Sequence, residues 1–214
     1  MRLAHFGQSC VLLEIGGVRL MFDPGTFSSG FEGERNLDAV LITHQHPDHI
    51  DTDRLPALLD ANPGAQLVVD PGTADTVSGL GLSHHTARAG ETVSIGDAGG
   101  PLVHVVGGVH ATIHPDIPVI DNIGYLVGDG EFYHPGDAFA LPRRGVDVLG
   151  LPTAAPWLKV SEAVDFLRAV APRVAVPIHE AVLAHPQMHY GLFSNLAPEG
   201  TEVRVLEQPG LTEV

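Results

Sequence analysis

The chain has 214 residues, and its 44% hydrophobic and 17% charged content excludes a disordered, solvating protein and predicts one domain over residues 1–214. Its 11 basic and 26 acidic residues give a formal net charge of −15, which disfavours nucleic acid and anionic membranes as partners because like charges repel. The single cysteine, Cys10, cannot form an internal disulfide. With no apolar run near the ~18 residues of a membrane span, we expect a cytoplasmic protein.

Short β-branched and apolar runs bounded by Gly, Pro and Asp recur along the chain and predict many short strands. Gly16-Gly17, between the first two runs, is typical of a hairpin turn. In chain order, the predicted strands are Cys10–Ile15, Val18–Phe22, Ala39–Thr43, Gln66–Asp70, Thr92–Ile95, Pro101–Val109, Ile123–Val127, Glu131–His134, Val146–Leu151, Arg173–Pro177 and Glu202–Leu206.

Helices are fewer than strands in the pattern. The clearest helix spans Ser161–Ala171, where Ser161 is expected to be the N-cap and Pro172 ends the helix. A second helix is predicted over Asp53–Ala61, and further helical patterns fall near Thr73–Gly79 and His189–Leu196. Strand-rich halves with intervening helices predict a mixed α/β layered sandwich.

The strongest chemical signal among the 13 histidines lies directly after the predicted strand Ala39–Thr43. His44 and His46 are two residues apart in an extended segment, so both side chains point the same way and can bind one ion. Pro47 then turns the chain, so that the side chains of Asp48 and His49 are directed at a second position a few Å away. Imidazole and carboxylate groups are the ligands of zinc, iron or manganese. A solvated histidine-rich loop is the alternative, but four candidate ligands in six residues favour a metal site.

The same segment resembles the His-x-His-x-Asp-His signature of the metallo-β-lactamase-fold hydrolases. Further similarity lies at the opening strands and "DPG" turn, at a Gly-Asp motif and at a terminal histidine motif. These segments are Phe6–Cys10, Phe22–Thr26, Tyr133–Asp137 and Pro177–Glu180. The branch that the chain resembles most is the small, ascorbate-6-phosphate-lactonase-like group. This resemblance implies a four-layer αββα sandwich and a metal-dependent hydrolase.

The resemblance also implies a set of ligands for two divalent metal ions, with zinc expected first and manganese or iron as alternatives. A histidine of the Gly107–His114 region completes the first site; we choose His110, which follows a predicted strand, and His114 is the alternative. Where the family often has histidine, this chain has Gln8. The implied ligands are His44, His46 and His110 for the first ion, Asp48, His49 and His179 for the second, and Asp137 as the bridge.

By the same resemblance, a metal-bridging hydroxide attacks a small lactone, ester, amide or phosphoester, and Asp48 is the catalytic residue that orients it. Two alternative functions are compatible with the same fold and ligand positions. One is a mononuclear iron oxygenase or other redox enzyme, and the other is a metal- or ligand-binding protein without turnover. The expected partner is a small molecule, and homo-oligomerisation is compatible with the sequence. Asp23, before a Pro-Gly turn, either accepts a hydrogen bond from a ligating imidazole or only forms the turn.

Several residues outside these motifs have more than one interpretation. Asp116, Asp121 and Asn122 could contact a substrate, or Asp121 and Asn122 could form only a turn before the predicted strand Ile123–Val127. Trp157 could be a pocket wall, a core anchor or a dimer contact. Seven histidines match no motif position and are interpreted as surface or core residues: His5, His84, His85, His104, His134, His185 and His189.

Overall fold

The computed structural model describes residues 1–96, 100–207 and 210–214. Within these residues, two mixed sheets of seven strands each account for most of the regular structure. The first sheet has the order β14-β1-β2-β3-β4-β5-β6, and the second has the order β13-β12-β11-β10-β9-β8-β7. The strands are β1 (Arg2–His5), β2 (Val11–Ile15), β3 (Val18–Phe22), β4 (Ala39–Leu41), β5 (Gln66–Val69), β6 (His85–Thr86), β7 (Thr92–Ser94), β8 (Leu102–Gly107), β9 (Ile123–Val127), β10 (Phe132–His134), β11 (Val148–Pro152), β12 (Val174–Ile178), β13 (Glu202–Val203) and β14 (Thr212–Glu213).

Helices cover the outer faces of the two sheets. They are α1 (Leu55–Asp60), α2 (Ala74–Gly79), α3 (Val160–Val170) and α4 (Gln187–Leu196). Leu55 and Val77 of the first two pack on the first sheet, while Phe166 and Phe193 of the last two pack on the second. None of the helices in the described ranges has both the length and the hydropathy of a membrane span.

The central strands are apolar on both faces because each sheet lies between the other sheet and a helical layer. Along β2, Val11 and Leu13 belong to the core between the sheets, whereas Leu12 belongs to the core under α1 and α2. A strand with two buried faces needs a nearly continuous apolar run, which is the pattern the sequence shows. The predicted four-layer αββα sandwich is confirmed.

All eleven predicted strands and four predicted helices have counterparts, and the differences lie at their ends. The predicted N-cap Ser161 is wrong: α3 begins at Val160, Lys159 is the N-cap, and its backbone N–H donates to Glu162 Oε2 at 3.4 Å. The predicted strand Pro101–Val109 ends early at Gly107, because Gly107 and Gly108 take φ values of 84° and 135° and bend the chain. Strands β1, β6 and β14 were not predicted, since two to four residues show no usable alternation.

Strand direction determines where the chemistry lies. β10, β11 and β12 are parallel, and β8 has the same direction because β9 runs antiparallel to both β8 and β10. In the first sheet β3 and β4 are parallel, and β1 shares their direction through the antiparallel β2. The segments that follow the carboxyl ends of these strands therefore meet at one edge of the sandwich, which is where open α/β sheets bind ligands.

Candidate metal centre

The segments after four strands contribute to a cluster of histidines and carboxylates at this edge. His44 and His46 follow β4, His110 follows β8, Asp137 follows β10 and His179 follows β12. Asp48 and His49 come from the same loop as His46. The structure brings together all seven residues implied by the sequence resemblance, in two groups. Within each group, the candidate ligand atoms all lie within 4.8 Å of one another.

The first group consists of His44, His46, His110 and Asp137. His44 Nε2 and His46 Nδ1 lie 3.0 Å apart. His110 Nδ1 lies 2.5 Å from the carbonyl oxygen of Ala111, and because a carbonyl can only accept, Nδ1 has the proton. The lone pair of His110 Nε2 is then directed at the group, and this buried nitrogen has no hydrogen-bond partner among the described residues.

The second group consists of Asp48, His49 and His179. The two Nε2 atoms of the histidines lie 3.2 Å apart, and Asp48 Oδ2 lies 3.3 Å from His179 Nε2 and 3.7 Å from His49 Nε2. His179 Nδ1 donates to the carbonyl oxygen of Ala154 at 2.5 Å. As in His110, a backbone acceptor fixes the tautomer that leaves Nε2 available as a ligand.

Asp137 lies between the two groups. Its Oδ1 is 3.2 Å from both His49 Nε2 and His179 Nε2, and its Oδ2 is 3.5 Å from His110 Nε2. Oδ1 is buried and has no hydrogen-bond partner within the described ranges. Buried lone pairs that converge without a partner are unfavourable unless a cation or a proton lies between them. The donor set and these two orphaned atoms, His110 Nε2 and Asp137 Oδ1, therefore fit the binding of metal cations.

In the first group the charge states agree with this fit. Burial lowers the pKa of His44 and of His46, which keeps both imidazoles neutral, as metal binding requires. In the second group burial opposes a charge on His49 and His179, but Asp137 outweighs it and raises the pKa of both, that of His179 to about 9, so bound cations would displace those protons. Burial raises the pKa of Asp48, but the hydrogen bond with His179 and the charge of His49 outweigh it and lower that pKa to about 2. Burial likewise opposes ionisation of Asp137, yet the charges of His179 and His49 hold its pKa well below the usual value.

Asp23 and Thr43 contact the Nδ1 atoms of His49 and His44 and thereby orient these two rings. Asp23 Oδ1 accepts from the Thr43 backbone N–H and Oδ2 from the Thr43 hydroxyl, both at 2.7 Å. Asp23 Oδ2 also lies 2.7 Å from His49 Nδ1, so the ring donates to it and directs Nε2 at the second group. Of the two interpretations of Asp23, the structure supports the hydrogen bond to an imidazole of the cluster.

Gln8, like Asp23, forms hydrogen bonds that hold the candidate ligands in place. From the sequence, Gln8 was notable only because the family often has histidine at this position. Its Oε1 accepts from Ala181 N–H at 3.0 Å, and its Nε2 donates to Asp48 Oδ2 at 2.8 Å. The backbone N–H of His179 donates to Gln8 O at 2.7 Å. Gln8 thus joins the turn after β1, the loop of Asp48 and the end of β12.

Two glycines allow the loops of the cluster to approach closely. A Cβ atom on Gly25 would lie 2.0 Å from the carbonyl oxygen of Asp48, and one on Gly136 would lie 2.3 Å from Asn122 Oδ1. Gly136 also has a φ of 63°. The buried Asn122 accepts from Asp137 N–H at 2.9 Å, so it holds the Asp137 loop and does not face a substrate.

Other residues considered from the sequence lie outside the two groups. The side chain of His114 is 60% exposed, and its partner is the exposed Asp116, 3.6 Å away. Asp121 is also exposed. His134 is buried beside the site, where its Nε2 lies 3.0 Å from the carbonyl oxygen of Ser9. Thr43 and the carbonyls of Ala111 and Ala154 were not predicted, and a backbone carbonyl leaves no signal in a sequence.

Comparison with known proteins identifies the family. A family profile described as a β-lactamase superfamily domain matches residues 2–179. Protein Rv0786c of Mycobacterium tuberculosis is 52% identical over 214 residues and covers 97% of each chain. A UPF0173 protein of Pyrococcus abyssi is 30% identical over 210 residues, with 94% of this chain and 88% of the relative covered. A UPF0173 metal-dependent hydrolase of Opitutus terrae is 27% identical over 207 residues and covers 84% of each chain.

Solved structures share the fold. Igni18, a metallo hydrolase of Ignicoccus hospitalis, superposes with a TM-score of 0.76 at 24% identity and covers 99% of this chain and 97% of its own. CmlA, a diiron β-hydroxylase of Streptomyces venezuelae, superposes with a TM-score of 0.72 at 18% identity and covers 100% of this chain but 54% of its own. At these identities the likeness describes the fold alone.

Proposed function

The chain belongs to the β-lactamase superfamily, and on that premise we propose that it is a metal-dependent hydrolase with two metal ions that acts on a small lactone, ester or amide. The observation that supports this most is Asp137, whose two oxygens lie against two separate groups of ligand atoms. The names of the related UPF0173 metal-dependent hydrolase and of Igni18 agree with it. The narrower likeness to the ascorbate-6-phosphate-lactonase branch stays a prediction.

The first ion would bind to His44, His46 and His110, and the second to Asp48, His49 and His179, with Asp137 between them. The nitrogen-rich first group favours zinc, with manganese or iron as alternatives. Divalent cations held there would supply hydroxide at neutral pH, by lowering the pKa of water towards ~7, and would polarise the scissile bond.

Asp48 is proposed as the residue that orients the attacking water. Its side chain is 19% exposed, whereas those of its neighbours His49 and His179 are 0% and 2% exposed, so within the second group it is the one that reaches solvent. The Gln8 amide donates to Asp48 Oδ2 and holds the carboxylate in place. An incoming water can therefore donate a hydrogen bond to Asp48, which aligns it with the substrate.

Two features support an uncharged ester, lactone or amide over a phosphoester. Within the described ranges, every ion pair of Asp23, Asp48 and Asp137 is with a histidine, and no Lys or Arg takes part. Beside His46 and His110 lie apolar side chains, among them Ile113, Ile117 and Val119. The cavity they line, about 20 Å³, is too small for a substrate, but Ile117 and Val119 are exposed, and such an apolar rim suits a hydrocarbon group better than a phosphate dianion.

The test combines elemental analysis with a panel of lactones, esters, amides and phosphoesters, assayed with zinc and with manganese. We expect about two ions per chain and hydrolysis that the H110A variant loses and the H84A variant keeps. Silence of the fully metal-loaded protein across the panel would instead favour a binding protein. One iron per chain, with oxygen consumption and no hydrolysis, would favour an oxygenase. A cytoplasmic location, a single domain over residues 1–214 and homo-oligomerisation stay predictions.

A further inference from the structure

Trp157, the single tryptophan of the chain, contacts the carboxylate between the two groups. It lies in the loop after β11, is 9% exposed, and its indole Nε1–H donates to Asp137 Oδ2 at 2.8 Å. Phe139 packs edge-on against the indole at a centroid distance of 5.0 Å, and Phe139 in turn stacks on Phe166 of α3. The indole is therefore anchored in the core under α3 while its polar edge reaches the cluster.

This hydrogen bond makes the two oxygens of Asp137 unequal. Oδ2 has one of its two lone pairs taken by the indole, whereas Oδ1 accepts no hydrogen bond and lies 3.2 Å from both His49 Nε2 and His179 Nε2. In the described part of the chain, Trp157 is the one residue that donates a hydrogen bond to the Asp137 carboxylate, and the histidines lie 3.2–3.5 Å from it. Without the indole N–H, nothing in these ranges except the histidines fixes the rotation of the carboxylate.

We propose that Trp157 is a positioning residue for the metal centre: its indole N–H orients Asp137 so that Oδ1 serves the second group and one lone pair of Oδ2 remains for the first. The inference rests on the metal centre of the proposed function but not on hydrolysis. Hydrogen bonds to ligating carboxylates typically change metal affinity by about 10–100-fold. The sequence left three interpretations for Trp157: a pocket wall, a core anchor or a dimer contact. This contact favours a core anchor whose N–H also forms a hydrogen bond with Asp137.

The experiment measures zinc binding by competition with a chromophoric chelator. W157F keeps an aromatic ring and removes only the N–H donor, and we expect at least one of the two stepwise dissociation constants to rise by about 10–100-fold. F166L is the matched control, because it alters the same aromatic cluster one ring further from the indole, and its constants should stay within about twofold of the wild type. Thermal unfolding of the metal-free variants checks that all of them fold.

A double-mutant cycle separates positioning from a merely structural role. If Trp157 acts through Asp137, adding W157F to D137A changes the remaining zinc affinity by no more than about twofold. Since the chain has one tryptophan, its emission reports on this contact, and we expect zinc to shift the emission of the wild type but not of D137A. The latter measurement keeps Trp157 and stays informative if W157F does not fold.

The outcomes are distinguishable. Wild-type affinity in W157F, or an equal loss in the presence and absence of Asp137, would overturn the role of Trp157 and leave the metal centre standing. Failure of the wild-type protein to bind zinc, manganese or iron would overturn the proposed function itself and this inference with it.

Discussion

Replacing Asp23 with asparagine should selectively weaken the second metal site. Asp23 has a left-handed φ of 44°, a conformation that asparagine tolerates as well as aspartate, so D23N changes the charge without straining the backbone. The amide oxygen can still accept from Thr43 N–H, which turns the amide NH2 towards His49 Nδ1. His49 Nδ1 must then accept a hydrogen bond, and its proton moves to Nε2, the atom that lies in the second group.

The magnitude follows from the number of ligands affected. One of the three nitrogen or oxygen atoms of the second group becomes a donor. In the first group only His44 is linked to Asp23, through the Thr43 hydroxyl, which lies 3.1 Å from His44 Nδ1. A change in a contact that orients a ligating histidine costs about 10–100-fold in metal affinity, which corresponds to about 1.4–3 kcal/mol. We therefore expect that loss for the second ion and a smaller loss for the first.

Isothermal titration of the metal-free protein with zinc resolves the two steps. The matched control is D38N, because Asp38 also accepts a backbone N–H, from Arg19 at 2.7 Å, but contacts no histidine. D38N should bind both ions like the wild type. Unchanged binding of both ions by D23N would refute the tautomer argument, and equal weakening of both ions would show that Asp23 acts on the whole cluster.

Three further predictions concern other parts of the site and its surroundings. H110A should lose at least one bound ion by elemental analysis while H114A keeps the wild-type content; the reverse result would place the third ligand at His114. Q8A should lower the free energy of unfolding in urea by about 2 kcal/mol, because the hydrogen bonds of Gln8 to Asp48 and to Ala181 are each worth about 1 kcal/mol; unchanged stability would contradict this. Burial raises the pKa of Asp70 from 3.8 to about 6, so the folded state binds the extra proton and loses stability as the pH rises through that window. The stability of D70N relative to the wild type should accordingly increase by about 2 kcal/mol between about pH 4 and pH 7, and a pH-independent difference would contradict the assigned pKa.

Much of the fold was predictable because its signals are local. A strand buried on both faces needs a continuous apolar run, and the eleven predicted runs all correspond to strands. The ends were harder to predict, as at Ser161, because a cap depends on which backbone N–H groups lack partners rather than on residue type alone. The two-residue strands β6 and β14 form only because a neighbouring strand pairs with them.

The histidine- and aspartate-rich loop of residues 44–49 could be identified from its residues alone, because all four candidate ligands lie within six residues after one strand and their geometry is local. The other contacts of the site depend on the packing of distant segments. That packing placed His110 and not His114 beside His46, and it brought Gln8 to His179 across most of the chain. It also set Trp157 on Asp137 and supplied the carbonyls that fix the imidazole tautomers. The physical reason is that such hydrogen bonds depend on which strands end at the same edge of the sandwich, and any residue can supply a carbonyl oxygen.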